Sequence, residues 1–267
     1  MVTKKRTKYV LFTSNAGHYR ISPPKLIIKN SILPRVVEFE KNEFEALTIS
    51  LLIDVYQEIF HDLGLDIKIN KKIINRIHVL AKKEFEEKID KIAKGLYKLG
   101  HIYLPRSTNK NSFISSLAHE IAHLYSSGKA LIQITESKYE IAVHDLSGSF
   151  GFAQNGKFLG INEGFTDIIA SIAISKLATR PYFVNGIAQN ISYFKEIDLI
   201  ESILRKKSLK YEHNLLTLCR AYFIGETNFL ENIISIFNQR IRQEITDLKG
   251  GRENTEKIIQ KVKCAIV

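Results

Sequence analysis

Apolar residues recur at three- and four-residue spacing between 41 and 63. Phe44, Leu47, Leu51, Leu52, Val55, Ile59 and Leu63 define one face of a long helix, and Gly64 suits the position just past its end. From Leu65 to Asn70 apolar and polar residues alternate, the period of a half-buried strand. A second helix is predicted over about 71–92, with lysines and glutamates on its outer face. Gly95 to Pro105 holds two short β-prone pieces around a glycine turn, a hairpin whose second strand Pro105 ends. The helical period returns from Ser112 to about Ser127, with Asn111 or Ser112 as N-cap and Gly128 as stop. Residues 148–160 read as another hairpin, turning at Asn155–Gly156. Asn162 then caps a helix to about Leu177, and everything beyond Pro181 reads as helix, with breaks near Ser208 and Gly225. The expected order is a mixed α+β half carrying hairpins, then an all-helical half, with no internal repeat and no low-complexity tract.

Composition narrows the class. A chain of 267 residues, 45% hydrophobic and 25% charged, can bury a sizeable core. Its mean hydropathy of −0.08 does not suit a disordered chain. No apolar run approaches the roughly 18 residues that would cross a bilayer. No apolar stretch or cleavage site follows the basic start Met1–Arg6, so a secretory signal is not expected and a cytoplasmic location is. Cys219 and Cys264 are too few for a disulfide framework and fit no metal-ligand spacing. The formal charge of +11 is concentrated: residues 1–37 carry eight lysines and arginines and no acid. That basic N-terminal arm is either a solvated tail or a surface for nucleic acid, acidic lipid or an acidic partner.

The chemistry concentrates in His119–Glu120–Ile121–Ala122–His123. On a helix, residues four apart share a face, so His119 and His123 can offer two imidazoles to one ion. Imidazole suits zinc. Glu120, one position round, can stand beside the ion and take a proton from an activated water. Phe113, Ile114, Leu117, Ile121 and Leu124 supply the apolar stripe that makes this segment a helix. A catalytic zinc site needs a third protein ligand. Glu136, Glu140, His144, Asp145, Glu163 and Asp167 follow in the chain. A third histidine at the short HExxHxxGxxH spacing is excluded, because Ser126 stands in the glycine position. The best candidate is Glu163 in Asn162–Glu163–Gly164–Phe165–Thr166–Asp167, with Asp167 one turn on as an acceptor for the outer N–H of a ligand imidazole. Taken alone, Glu163 would be a first-turn acid facing the helix dipole.

With Gly-Leu-Tyr, Ile-Tyr-Leu-Pro, HEIAH and Asn-Glu-Gly-Phe-Thr-Asp in this order, residues 93–178 resemble the gluzincin group of zinc metallopeptidases, the thermolysin-like and M1-aminopeptidase-like enzymes. The gap between His123 and Glu163 is longer than in thermolysin-like enzymes. The resemblance implies a zincin-like α+β fold, with zinc on His119, His123 and Glu163, Glu120 as general base, and Asp167 hydrogen-bonded to His119. It also implies peptide-bond hydrolysis by a zinc-activated water, on a peptide or protein substrate. An edge strand beside the metal, here His101–Leu104, would hold the substrate by strand addition. A tyrosine or histidine from the helical half would stabilise the oxyanion. Tyr211 and His213 are the first candidates, with Tyr193 and Tyr222 behind them. The expected organisation is the basic arm at 1–37, a catalytic subdomain at 38–178 and a helical subdomain at 179–267. The alternative is a zincin-like binding protein that uses its arm to contact nucleic acid or an acidic partner.

Overall fold

The computed structural model describes residues 6–15, 18–22, 36–98, 100–126, 128–136, 141–183, 187–188, 192–206, 211–249 and 252–265. Residues 6–15, 18–22, 128–136 and 141–150, with 154, 206, 211, 252 and 253, are described in backbone alone. The chain is a mixed α+β protein with one continuous apolar cluster running from Ile49 to Val262. No helix among the described residues is long and apolar enough to cross a membrane.

Helix α1, Glu43–Asp62, begins with a reciprocal capping box. Asn42 accepts the Glu45 N–H, and Glu45 accepts the Asn42 N–H. Gly64, at φ 65°, ends it as expected. The alternating segment after it is not a strand. Residues 65–70 take no strand pairing, because the Gln57 side chain supplies the partner that a neighbouring strand would have: its Nε2 donates to the Ile67 carbonyl, and its Oε1 accepts the Ile69 N–H.

The expected 71–92 helix is also corrected. It resolves into a 3-10 turn at Lys71–Arg76, strand β3 at Ile77–Leu80 and a short helix α2 at Lys82–Lys88. Ile77, Val79 and Leu80 are fully buried, and sheet pairing overrides the helical pattern around them. The predicted hairpin is present as β4, Leu96–Lys98, and β5, His101–Pro105, turning at Gly100 with φ 81°. β3 pairs with β5 in parallel, giving a three-stranded sheet in the order β3-β5-β4. His101–Leu104 is therefore the central strand, and β4 holds the edge.

Helix α3, Lys110–Tyr125, carries the HExxH segment. Its cap is Asn109, not Asn111 or Ser112, and Ser126 closes it; Gly128 opens the next strand. A second sheet, with five strands among the described residues, has β1 (Arg6–Asn15), β2 (His18–Ser22), β6 (Gly128–Glu136), β7 (Ile141–Phe150) and β8 (Ala153–Gln154) in the order β2-β1-β6-β7-β8. The described parts of the basic segment 1–37 thus include two strands. The β7–β8 hairpin turns at residues 151–152, while Asn155 and Gly156, both at positive φ, make the turn after it.

Helix α4, Leu159–Ala178, starts earlier than Asn162. Phe158, in the left-handed region, stands at its cap without a side-chain bond, and the Phe158 and Gly160 N–H groups donate instead to the Thr246 and Leu248 carbonyls. That contact from the far end of the sequence does the work of a local cap. Helices α5 (Phe194–Lys206), α6 (Tyr211–Ile224), α7 (Asn228–Ile234), α8 (Gln239–Thr246) and α9 (Arg252–Cys264) complete the C-terminal half.

Candidate metal centre

The site lies where α3, α4 and the edge strand β4 converge. α3 is fixed from behind: Leu117, Ala118, Ile121 and Ala122 are buried, and the Tyr56 hydroxyl donates to the Ala118 carbonyl at 2.6 Å. α4 is held by Phe165, Ile169, Ala173 and Leu177 in the core. Asn162, assigned above to a cap, sits within the helix and accepts the Phe152 and Ala153 N–H groups. Glu163 consequently lies in the second turn of α4, beyond reach of the helix-dipole role.

His119, His123 and Glu163 bring one ligand atom each within 4.8 Å of one another. Glu163 Oε2 is 3.3 Å from His119 Nε2 and 3.4 Å from His123 Nε2, and the two Nε2 atoms are 3.1 Å apart. Asp167 stands behind His119, its Oδ1 at 2.7 Å from Nδ1. Its other oxygen accepts the Ser192 and Tyr193 N–H groups at 3.0 and 2.7 Å, so the carboxylate is clamped from the backbone. A carboxylate on Nδ1 keeps the proton there and leaves the Nε2 lone pair aimed into the cluster. Three lone-pair donors then converge on one point, an arrangement that favours a cation, and the two-imidazole, one-carboxylate set suits zinc.

Without an ion, the same convergence of donors holds a proton in its place. Burial disfavours the His119 imidazolium, but its hydrogen bonds to the Asp167 and Glu163 carboxylates and the charges of Glu120 and Glu163 outweigh it, and the ring is held well above its ordinary pKa. Burial likewise opposes ionisation of Glu163, yet the His123 and His119 charges pull its carboxyl far below the usual range. Glu120 moves the other way: burial pushes it up, the two histidines oppose, and the Tyr97 N–H donates to it. Gly95 sets the spacing between β4 and this acid, because a Cβ there would lie 3.0 Å from Glu120 Cγ and 2.9 Å from a Leu104 methyl.

Tyrosine rings flank both imidazoles, Tyr193 at 5.8 Å from His119 and Tyr97 at 6.5 Å from His123 between centroids. Tyr193 also lines a cavity of about 260 Å³ with His119, Glu120 and Asp167. The other oxyanion candidates differ in their surroundings. Tyr222 is wholly buried, its hydroxyl 2.8 Å from that of Thr166, and His213 is exposed on α6. The Tyr211 side chain lies outside the described residues, as do Glu140 and the side chains of Glu136, His144 and Asp145. Sequence reasoning missed Tyr97, Gly95 and Ser192. Tyr97 and Ser192 act through backbone N–H groups, which every residue but proline carries.

The chain matches no protein-family model, no curated protein and no solved structure.

Proposed function

We propose that this chain is a zinc-dependent metallopeptidase of gluzincin type on a zincin-like scaffold. One observation carries the reading: two imidazoles from α3 and a carboxylate from α4 converge at ligand spacing, with an acid beside them and a second acid behind His119. His119, His123 and Glu163 would hold the ion. When bound, zinc supplies Lewis acidity that polarises a carbonyl and makes water a nucleophile near neutral pH.

The chain's own groups account for the remaining steps. Glu120, raised by burial and fixed by the Tyr97 N–H, accepts a proton as water attacks the peptide carbonyl. It then delivers that proton to the amine nitrogen as the C–N bond breaks. Tyr193 stays protonated, because burial and the surrounding carboxylates push its phenol up, so it remains a hydrogen-bond donor for the developing oxyanion. The role of substrate-pairing strand passes to β4, whose second edge no strand covers among the described residues.

The test is elemental analysis and peptide turnover of purified variants. About one zinc per chain is expected, largely lost in Glu163→Ala. Glu120→Gln should retain zinc while turnover falls by about 10²-fold or more. Full zinc retention in Glu163→Ala, or undiminished cleavage by Glu120→Gln, would sink the assignment.

A further inference from the structure

The metal cavity continues past the catalytic residues. A second cavity of about 520 Å³ adjoins it, and the two share Ile92, Ala93, Lys94 and Ser116 as walls. Helix α3 is their common floor: Ser112 and Ser116 line the larger cavity, and Glu120 follows Ser116 by one turn. A substrate chain passing over the scissile position therefore runs into this groove.

The groove is basic. Lys82, Lys91, Lys94 and Arg106 line it, against one acid, Glu86. Two of the cations are already matched. Lys82 pairs with Glu86 at 3.7 Å, and Arg106 gives two hydrogen bonds to the buried Glu45 carboxylate and a third to the Glu40 carbonyl. No carboxylate pairs with Lys91 or Lys94 among the described residues; the Lys94 ammonium meets only the Ser192 hydroxyl, at 3.5 Å. The groove also reaches the N-terminal end of α3, where the helix dipole adds positive potential. Asp90, beside Lys91, spends its carboxylate on the Ile92 and Ala93 N–H groups, so two ammonium groups without an ion-pair partner line the groove; they are complementary to an anion, and on a peptide the anion is a carboxylate.

We propose that this groove is a specificity subsite for a carboxylate of the substrate, supplied by an Asp or Glu side chain close to the scissile bond or by the peptide's C-terminus. The assignment rests on the peptidase reading. Lys91 and Lys94 contact the carboxylate, and Arg106 holds the wall in place.

The experiment uses the full chain loaded with zinc and a proteome-derived peptide library, prepared with free and with amidated C-termini. It compares the parent with a Lys91→Glu/Lys94→Glu variant. The parent should favour Asp or Glu within a few residues of the bond on one side. The variant should lose that preference by about three- to tenfold and turn toward Lys and Arg, a reversal that misfolding cannot produce. Preference confined to cuts near free C-termini, and abolished by amidation, assigns the site to the terminal carboxylate; preference at internal acids assigns it to side chains. Cleavage by the parent with no acidic preference, or a preference that survives charge reversal, overturns the subsite and leaves the peptidase reading standing. A zinc-loaded parent that cuts no peptide in the library overturns both.

Discussion

Asp167 shows how much one side chain is asked to do. One oxygen takes the His119 Nδ1–H, and the other takes two backbone N–H groups from Ser192 and Tyr193. All three neighbours are donors, so the position calls for an acceptor on both sides. In Asp167→Asn the amide NH₂ must face either the imidazole N–H or the clamping backbone, which places donor against donor. Both Asp167→Asn and Asp167→Ala are therefore expected to weaken zinc binding by about 10- to 100-fold. Asn is not a mild replacement here. Chelator competition alongside circular dichroism measures this, and an unchanged affinity in Asn would mean that the charge and the acceptor geometry do not matter. At this scale the sequence was informative where chemistry is written in side chains. The i, i+4 histidines and the Glu163–Asp167 pair come together as their spacing requires. It was silent on the Tyr97 N–H to Glu120 and the Asp167 clamp, because a backbone donor leaves no mark on residue type.

Elements were legible where their own periodicity decides them. α1 and α3 fall within a few residues of the pattern, since each has a continuous apolar stripe and a local cap. Reading failed where a distant partner decides. Residues 65–70 lost their strand to a Gln57 side chain, β3 was carved from a helical pattern by pairing with β5, and α4 gained a turn because Thr246, the last residue of α8, and Leu248 just beyond it cap it. The same reliance on neighbours makes Gly164 a sensitive point. It follows the candidate ligand Glu163 and faces α5 so closely that a Cβ would lie 2.6 Å from Glu196 Cβ and 3.0 Å from the Glu196 backbone carbon. Backbone cannot swing aside as a side-chain tip can. Gly164→Ala should therefore force α4 and α5 apart and cost about 1–3 kcal/mol, the usual range for overpacking. Urea unfolding of the zinc-free protein isolates the packing effect from metal binding. A midpoint equal to the parent's would show that α5 yields freely.

Across the whole molecule, the zinc reading makes one half-buried cluster couple ion binding to proton binding. Without an ion, the negative charge of Glu163 and Asp167 is answered by a proton on His119, whose raised pKa keeps it charged above its unfolded value of 6.5. The stabilisation from that proton is fully present below about pH 6.5 and is lost as pH rises through the raised folded value. Glu163 has the opposite sign. Its lowered pKa stabilises the fold above the unfolded value of 4.5, and that contribution fades as pH falls toward the folded value. The ion-free cluster therefore stabilises the fold most between these two limits and less at alkaline pH. Zinc reverses the trend on the alkaline side, because it requires the neutral imidazole and must displace the proton. The melting-temperature increase caused by zinc should consequently grow from about pH 6 to about pH 8, with protons released on binding. Calorimetric titration in buffers of different ionisation enthalpy measures that release directly. A zinc effect independent of pH, with no proton release, would mean that the ion does not take the place of the His119 proton and that the three donors are not its ligands.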